Sequence, residues 1–535
     1  MLHPCRRLLT LMLLILTAAT AVGQTDAYDA DNYRPTHDQT VVSRTNLPIV
    51  FIDTRCGRPQ PTVIHKAYRV AVRMKIIDNP DGMNYGDTIA NPDQRTDYDG
   101  WIALRYRGNS SFSLSAKKPL SLKTIETDDV DGPKRKTTLL GMPRDHDWAL
   151  LAPFNDRSMI RDALMFQLAR PFFEYTPRVR HCEVIIDGTY YGVYVMAETP
   201  RKGKNRLDLD DPGSEGDALT GGYHLQVDRN DEPTFASRYP AVDADGVAYR
   251  RYYRIYFQYK DPDYDEITAQ QRQYIQQQVY RMESSLKSDD FADPDTGYRQ
   301  YLDVTSFIDQ MLTQEFSANI DAYRQSLHIY KRRDSQDPRF KTTIWDFNIA
   351  LGNANYCDAW RTDGWHYQNT WESDLTAYYK IPFWWARLME DSTYVSELRQ
   401  RWALYRRTTY SERHITQTID SLVSLLDADG ARERNYQTWP IWGRAIWPVP
   451  YYKMVNTWEK EIEYLRTWIT ERLHWMDTEL GYVAEEPQPE PLTVDPQVKA
   501  YYNMKGQRLP SLGSATGFVI ILYTDGTTKK IYIRP

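Results

Sequence analysis

The chain has 535 residues, a mass of 62.8 kDa and a formal net charge of −6 at pH 7, a size that fits one large domain with a small extra module or two to three domains. A hydrophobic content of 41%, with 13% aromatic residues, supplies a buried core and excludes an intrinsically disordered protein. The acidic balance and the lack of a basic stripe argue against a nucleic-acid partner.

The first 23 residues are predicted to be a signal peptide. Arg6 and Arg7 precede the apolar run Leu8–Ala21, which is too short to span a membrane, and small residues then offer a cleavage site. Removing two arginines and no acid would change the net charge from −6 to −8. Because no later stretch approaches the roughly 20 apolar residues of a transmembrane helix, we expect no transmembrane segment and an exported protein in the periplasm, on the cell surface or in the medium.

Three cysteines remain after the predicted signal peptide. They are Cys56, Cys182 and Cys357, and their spacing suits no zinc site. An odd number in an exported chain allows at most one disulfide and leaves a free thiol, so all three are interpreted as structural.

A β-rich region follows the N-terminus. Residues 24–60 are predicted to be an extension that ends in an apolar strand, Leu47–Ile52, and a kinase-like domain is predicted over residues 61–482. One helix, about Arg157 to Leu168, interrupts the strands and is capped by Asn155 or Asp156. The remaining predicted strands are Tyr68–Ile76, Trp101–Tyr106, Leu120–Lys123, Ala149–Ala152, Val184–Asp187 and Gly192–Ala197.

Two acidic residues stand in a pattern typical of phosphoryl-transfer enzymes. Asp321 follows a predicted helix, Thr305–Ala318, and Asp346 follows the second strand of a predicted hairpin, Leu327–Lys331 with Lys341–Trp345. Kinases place a catalytic base and a metal-holding Asp in the same order of helix, acid, hairpin and acid. The simpler interpretation of either residue alone is a turn or strand terminator, since turns favour Asp.

The chain is predicted to be largely helical from Ile381 onward. The long run Tyr451–Leu480 carries an aromatic stripe at helical spacing, which predicts core packing. Residues 483–497, rich in Pro and acids, are predicted to be a linker. Residues 498–535 predict three or four short strands, and this tail resembles the small β-sandwich modules that Bacteroidetes attach to secreted proteins, some of which act as secretion or sorting signals.

Six blocks in a constant order make the chain similar to the CotH kinase family, whose members are built like distant protein kinases. The resemblance implies an α+β, bilobal, atypical protein-kinase-like fold with a β-rich N-lobe and a helical C-lobe, beside the small C-terminal all-β module. The blocks are Arg105–Ser111, Lys117–Lys123, Leu139–Arg170, Val184–Thr199, Gly221–Asp228 and Asn319–Gly352.

The resemblance implies a nucleotide-binding set in the first lobe. Lys118 is favoured over Lys117 as the phosphate-binding lysine, because it shares a strand face with inward-pointing leucines, although the alternation leaves both open. Glu198 is expected to meet the nucleotide or this lysine. On residue types alone the lysines form a solvated basic patch and the adjoining turn is a plain hairpin. The phosphate-covering turn comprises Arg107, Gly108, Asn109 and Ser110.

Asp321 is the expected catalytic base and Asp346 the expected metal ligand, for Mg²⁺ or Mn²⁺. Ser326 stands where kinases have a metal-binding Asn, and Asn348 stands where the family carries a second acid. Both side chains offer an oxygen to a metal but less negative charge, which favours weaker metal binding. Gln325 and His328 lie close by in sequence.

The leading hypothesis is therefore an exported kinase that transfers the γ-phosphoryl group of ATP to a Ser or Thr of a protein substrate. The alternative is a catalytically inactive relative that serves as a surface binding or scaffold protein. A third interpretation keeps nucleotide binding but transfers a nucleotide. The oligomeric state has no signal in the sequence.

Overall fold

The computed structural model describes residues 35, 40–240, 254–368, 381–484, 498–503, 507–509, 517–523 and 528–533. The predicted signal peptide and most of the predicted linker lie outside the described residues. The chain divides into two compact units, Met1–Gly481 and Tyr482–Pro535. Among the described residues no helix has the length and apolar character needed to cross a bilayer.

The described residues form ten α-helices and eighteen strands. The helices are α1 Ser110–Leu114, α2 Arg161–Ala169, α3 Gly216–Leu219, α4 Ala269–Lys287, α5 Val304–Ser317, α6 Trp384–Leu388, α7 Ser392–Arg407, α8 Glu412–Asp427, α9 Ala431–Thr438 and α10 Trp458–Leu480. The strands are β1 Ile49–Asp53, β2 Val70–Ile77, β3 Thr96–Tyr106, β4 Leu120–Ile125, β5 Thr137–Leu139, β6 Met142–Asp145, β7 Asp147–Leu151, β8 Val179–Ile186, β9 Thr189–Glu198, β10 Tyr223–Asp228, β11 Thr234–Pro240, β12 Arg254–Asp261, β13 Leu327–Lys331, β14 Phe340–Thr343, β15 Val498–Asn503, β16 Arg508–Leu509, β17 Gly517–Tyr523 and β18 Thr528–Ile533.

The first strands close into a barrel in the order β1-β2-β3-β4-β7-β9-β8. Antiparallel neighbours make up most of this barrel, and a parallel pairing of β1 with β8 closes it. Its interior is filled by aliphatic and aromatic side chains such as Val72, Leu104 and Trp148. Every strand predicted between residues 68 and 197 is present in the barrel. The apolar strand that the sequence assigned to the N-terminal extension is also a barrel strand, β1.

A second, antiparallel sheet has the order β11-β12-β10-β13-β14. Helix α4 packs on β11, and Thr268 begins this helix with a capping box to Gln271. Helix α5 leads into β13 and packs along β14. The end of β10 and the start of β13 are joined by the hydrogen bond from Ser326 to Asp228. The turn that follows barrel strand β3 bonds to the loop after β10 through Asn109 and Asp231, and the candidate site lies there.

Helices α6 to α10 complete the larger unit. Helix α10 begins at Trp458, because the side chain of Thr457 accepts the backbone N–H of Lys460 and caps it. The aliphatic and aromatic side chains Ile462, Leu465 and Ile469 are buried, as the stripe predicted. The α+β class is thus confirmed, whereas barrel, sheet and helices form one compact unit and the division into two lobes stays a prediction.

The smaller unit contains a four-stranded antiparallel sheet in the order β16-β15-β17-β18. Val519 and Ile521 on its central strand are buried. In the larger unit the described residues Cys56, Cys182 and Cys357 form no disulfide with one another.

Candidate functional site

The structure brings the two predicted acidic segments together through one asparagine. Helix α5 ends at Ser317, and Ala318 turns the chain with a positive φ of 42°. The side-chain oxygen of Asn319 then accepts the N–H of Asp321 at 3.1 Å, while its amide nitrogen donates to the backbone oxygen of Asp346 at 3.0 Å. The segment that carries the expected base is therefore bonded directly to the segment that carries the expected metal ligand.

Ser326 joins this pair. Its hydroxyl lies 3.5 Å from Oδ2 of Asp346, at the start of β13. Both residues have positive φ, 52° for Ser326 and 68° for Asp346, a conformation that non-glycine residues rarely adopt. Backbone strain of this kind persists where the surrounding structure holds it in place, and it is concentrated at functional sites. Here it accompanies the approach of the Ser326 hydroxyl to the Asp346 carboxylate.

A third acid, Asp228 at the end of β10, completes the cluster and was missed by the sequence reasoning. Its Oδ2 accepts the backbone N–H of Ser326 at 3.2 Å. Burial, followed by the negative charges of Asp321 and Asp228, raises the pKa of Asp346 to about 6, against the opposing effect of Arg107. The sequence signal that could have identified Asp228 is its place as the acid that ends the block GGYHLQVD, at the end of a strand.

Asp321 keeps access to solvent. Its Oδ1 accepts a hydrogen bond from Nη2 of Arg324 at 2.5 Å, and its side chain is 18% exposed. The ion pair fixes the carboxylate, and the exposure lets a substrate group reach it.

Arg107 supplies positive charge from the barrel side. Its guanidinium stacks over the ring of Trp345 at 5.0 Å, and its Nη1 is buried without a hydrogen-bond partner among the described residues. Asp162 on α2 lies close to the same cluster, because its Oδ1 accepts the N–H of Phe347 at 2.7 Å. Burial, and next the charge of Asp346, raises the pKa of Asp162 to about 8. A buried guanidinium with a free donor is suited to a phosphate oxygen.

The predicted phosphate-covering turn reaches from the barrel to the second sheet. Gly108 has a φ of 83°, and Ser110 begins the short helix α1. The amide of Asn109 donates to Oδ2 of Asp231, in the loop after β10, at 3.0 Å. The turn thus lies near the cluster that contains Asp228.

The structure places the two candidate lysines differently. Lys117 is buried, and its ammonium donates to the backbone oxygen of Val193 and to Oδ1 of Asn435 on α9 at 2.9 Å. Lys118 donates to the backbone oxygen of Phe112 in α1, beside the turn, and burial lowers its pKa to about 8. Of the two, Lys118 bonds next to the segment expected to cover the phosphates, whereas Lys117 bonds to β9 and α9.

Three further residues that the sequence analysis named form hydrogen bonds outside the acidic cluster. Glu198 is fully buried at the end of β9 and forms an ion pair with Arg178 at 3.0 Å. The amide nitrogen of Asn348 donates to Oδ1 of Asn155 at 3.2 Å. Gln325 accepts from Nη2 of Arg229 at 3.0 Å. The structure therefore brings Asp321, Ser326 and Asp346 together but not Lys117 or Glu198.

The acidic cluster offers carboxylate and hydroxyl oxygens, the ligand type that Mg²⁺ and Mn²⁺ prefer. In the part of the chain that the structure describes, no three His, Cys, Asp or Glu side chains form a ready metal cage. Mg²⁺ is usually held by one or two carboxylates with water and substrate phosphate oxygens, so such a cage is not required. Burial and the neighbouring negative charges raise the pKa of Asp346, and a bound cation would offset those charges. Asp346, Asp321 and the Ser326 hydroxyl therefore fit a metal carried in with phosphates.

Comparison with known proteins relates the chain to a family of kinases. The family model described as CotH kinase protein matches residues 104–476, more than half of the chain. This range contains the barrel from the end of β3 onward, the second sheet and the whole acidic cluster. No curated protein matches the chain significantly.

Proposed function

Because the chain belongs to the CotH kinase protein family, we propose that it is an exported, metal-dependent atypical protein kinase. It transfers the γ-phosphoryl group of ATP to a Ser or Thr hydroxyl of a protein substrate. The observation that carries the proposal is the convergence of Asp321, Ser326 and Asp346. The charge of Arg107 acts on the same cluster, and its Nη1 is buried with no hydrogen-bond partner in the part of the chain that the structure describes.

Each residue has a role that its surroundings support. Asp346 and Ser326 would hold Mg²⁺ or Mn²⁺, which supplies charge neutralisation for the phosphates. Arg107 donates to a phosphate oxygen, and the turn at Gly108 brings backbone N–H groups to the same ligand. Asp321, oriented by Arg324 and reachable from solvent, accepts the proton of the acceptor hydroxyl as its oxygen bonds to the γ-phosphorus. The bond between the γ-phosphorus and the oxygen that bridges it to the β-phosphate breaks in the same step, and ADP leaves.

One observation favours the second candidate, an inactive kinase-like scaffold. Serine and asparagine replace more strongly binding side chains at positions 326 and 348, and the Asn348 amide is bonded to Asn155. An absence of transfer activity, with or without nucleotide binding, would identify this state.

Thermal unfolding of the mature chain with ATP and Mg²⁺ or Mn²⁺ tests metal-dependent binding. We expect the melting temperature to rise with both ligands together and Asp346→Asn to abolish the rise, because one metal carboxylate is lost. The matched control is Asp420→Asn, an exposed acid on α8 paired with Arg466, which should leave the shift intact. The absence of any shift at millimolar nucleotide would favour the scaffold.

Transfer itself is tested with Asp321→Asn. This variant should still bind ATP but should incorporate phosphate into a protein acceptor at least about 100-fold more slowly, since a general base is removed. The mass added to the acceptor separates phosphate from nucleotide transfer. Undiminished incorporation would contradict the assignment of the base.

A further inference from the structure

A cavity of about 500 Å³ is lined by the hairpin of β5 and β6 and by the loop that follows β9. None of its lining residues belongs to the acidic cluster or to the turn after β3. In the described structure its lining holds one carboxylate, that of Asp145, against five cationic side chains. The cations are Lys136, Arg144, Arg201, Lys202 and Lys204. In a chain whose net charge is −6, this cavity concentrates positive charge against the overall balance.

Three of the cations have no acidic partner. Lys136, Arg144 and Lys204 are exposed, and none of them forms an ion pair within the residues that the structure describes. Nε of Arg144 donates to the backbone oxygen of Lys136 at 2.7 Å, which leaves Nη1 and Nη2 of the guanidinium for a ligand. The other two cations each pair with an acid, Arg201 with Asp147 and Lys202 with Asp211.

The carboxylate and the imidazole of the lining have their acceptor atoms engaged. Oδ1 of Asp145 accepts the backbone N–H of His146 at 2.6 Å, and its Oδ2 lies 3.4 Å from Nε of Arg206. Burial, and next the charge of Arg201, lowers the pKa of His146 to about 4, so its ring is neutral. Nε2 of that ring accepts from Nη1 of Arg201 at 2.9 Å. The unpaired groups of the lining are therefore cationic donors, which suit an anion.

The loop that follows β9 is held in one conformation by its own hydrogen bonds. The N–H of Gly203 donates to the backbone oxygen of Leu207 at 2.8 Å, and the N–H of Arg206 donates to the backbone oxygen of Gly203 at 2.9 Å. The N–H of Lys202 donates to Oδ2 of Asp261, at the end of β12, at 2.7 Å. Because the loop is fixed before a ligand arrives, binding costs little conformational entropy.

A phosphate group on a protein side chain matches this lining. At pH 7 a phosphoserine or phosphothreonine carries a charge of about −1.5 to −2 and three acceptor oxygens, whereas an Asp or Glu carries one charge and two oxygens. An arginine binds phosphate through parallel N–H groups, and a lysine binds it as a point charge. The three unpaired cations are exposed, so a group carried by another protein can reach them.

We propose that this cavity binds a phosphorylated Ser or Thr of a partner protein, with Lys136, Arg144 and Lys204 in contact with the phosphate. The inference goes beyond the proposed function and is independent of it, because none of these residues takes part in the proposed metal site or in phosphoryl transfer.

Fluorescence anisotropy of labelled peptide libraries tests the proposal on the full mature chain. The libraries share degenerate flanking positions and carry phosphoserine, serine or glutamate at the centre. We expect the phosphoserine library to bind at least about 10-fold more tightly than either of the others, the gain expected for one hydrogen bond to a charged group.

Reversal of single charges locates the site. Lys204→Glu and, independently, Lys136→Glu should weaken the phosphoserine library at least about 10-fold, because each replaces an attraction by a repulsion. Both side chains are exposed, so the fold should persist, and Lys204→Arg should keep the affinity. Lys453→Glu is the matched control. It reverses the charge of an exposed lysine in the segment before α10 and should leave phosphopeptide binding unchanged.

Competition separates this site from other anion sites. Saturating ATP with Mg²⁺ should not displace the phosphoserine library, and displacement would overturn the separate site. Inorganic phosphate that displaces the peptides at equal concentration would overturn the assignment to a protein partner. Equal affinity for phosphoserine and glutamate, or an equal loss in Lys453→Glu, would mean a general attraction to negative charge. These results leave Asp321 and Asp346 untouched, so the kinase proposal stands or fails by its own tests.

Discussion

At the scale of single residues, the turn that begins at Gly108 depends on the absence of a side chain. Its φ is 83°, and a Cβ at this position would lie 2.1 Å from Oγ of Ser111. Gly108→Ala should lower the free energy of unfolding by about 1 kcal/mol and weaken ATP binding, because Ser111 and the backbone donors must move. Chemical denaturation and nucleotide titration measure the two effects.

Gly188 provides the matched control for this prediction. It has the same φ of 83° in the hairpin between β8 and β9, but a Cβ there meets nothing within 4 Å. Gly188→Ala should lower stability by a similar or smaller amount and leave ATP affinity unchanged. Equal losses of affinity in both variants would show that the effect of Gly108 is general destabilisation.

Residue types in order along the chain predicted the association of Asp321 with Asp346, because only a short hairpin separates them. The same reasoning missed Asp228, which approaches Ser326 from a strand about 100 positions earlier in the chain. It also failed to separate Lys117 from Lys118. Strand β4 begins only at Leu120 and is buried on both faces, so alternation carries no information about the two lysines.

At the scale of elements, a buried ion network joins helix α10 to the first residue of α2 and to the segment that precedes it. Glu461 accepts from Nη2 of Arg157 at 2.7 Å and from Nη1 of Arg161 at 2.9 Å, and all three side chains are buried. Glu461→Ala leaves two buried guanidinium groups without this carboxylate. We expect a loss of about 3–5 kcal/mol, measured by urea denaturation.

Glu459 on the same helix is the control for this network. Its side chain is 68% exposed and lies 3.4 Å from Arg432. Glu459→Ala should change stability by less than about 1 kcal/mol, because solvent screens an exposed pair. Similar losses in the two variants would mean that helix propensity, and not the buried network, sets the result.

Glu283 makes the contact of α4 with β11 and α6 sensitive to pH. It accepts from Ser237 at 2.8 Å and from Nε1 of Trp384 at 3.2 Å, and burial raises its pKa from 4.5 to about 7. Since the folded protein favours the protonated carboxyl, this group's contribution to stability is full below pH 4.5. The contribution is lost as the pH rises toward 7.

Glu283→Gln should therefore be more stable than the unmodified protein at pH 8, by at most about 3 kcal/mol for a shift of this size. The difference should vanish near pH 4.5. Melting curves between these pH values measure it, with the exposed Glu463→Gln as a control. A glutamine variant that is equally destabilised at every pH would contradict the assignment.

Helix boundaries show what local patterns leave out. The sequence placed the start of the second helix at Arg157, whereas α2 begins at Arg161. Asp156 accepts the N–H groups of Ser158 and Arg161, and Met159 has a positive φ of 63°, so residues 157–160 form a turn. Asp156 bonds to the first residue of α2 from five positions earlier in the chain, and a contact of this kind leaves no periodic pattern in the sequence.

At the scale of the whole molecule, the barrel depends on a pairing that no local pattern encodes. Strand β1 pairs in parallel with β8, so Ile49 lies beside Glu183. Alternation predicted both strands, but partner choice and register come from packing between segments more than a hundred residues apart. For this reason the sequence yielded the list of strands and the fold class but assigned β1 to a separate extension.

The division of the chain at Gly481 allows a prediction for the whole molecule. Every residue of the candidate site lies within Met1–Gly481, and Gly481 itself, with a φ of 68°, ends helix α10 in a left-handed cap. A mature chain that ends at Gly481 should therefore fold with its own core and keep the full ATP–Mg²⁺ melting shift.

Calorimetry of the full and shortened chains measures this directly. The heat absorbed by the larger unit, its melting temperature and the nucleotide-dependent shift should match in the two proteins, since the strands of the barrel and the residues of the acidic cluster all belong to the larger unit. A shortened chain that folds but no longer responds to ATP would place part of the binding determinants beyond Gly481. Because the Asp346→Asn variant removes the proposed metal carboxylate in either chain, it distinguishes a lost contribution of the tail from a lost contribution of the proposed metal site.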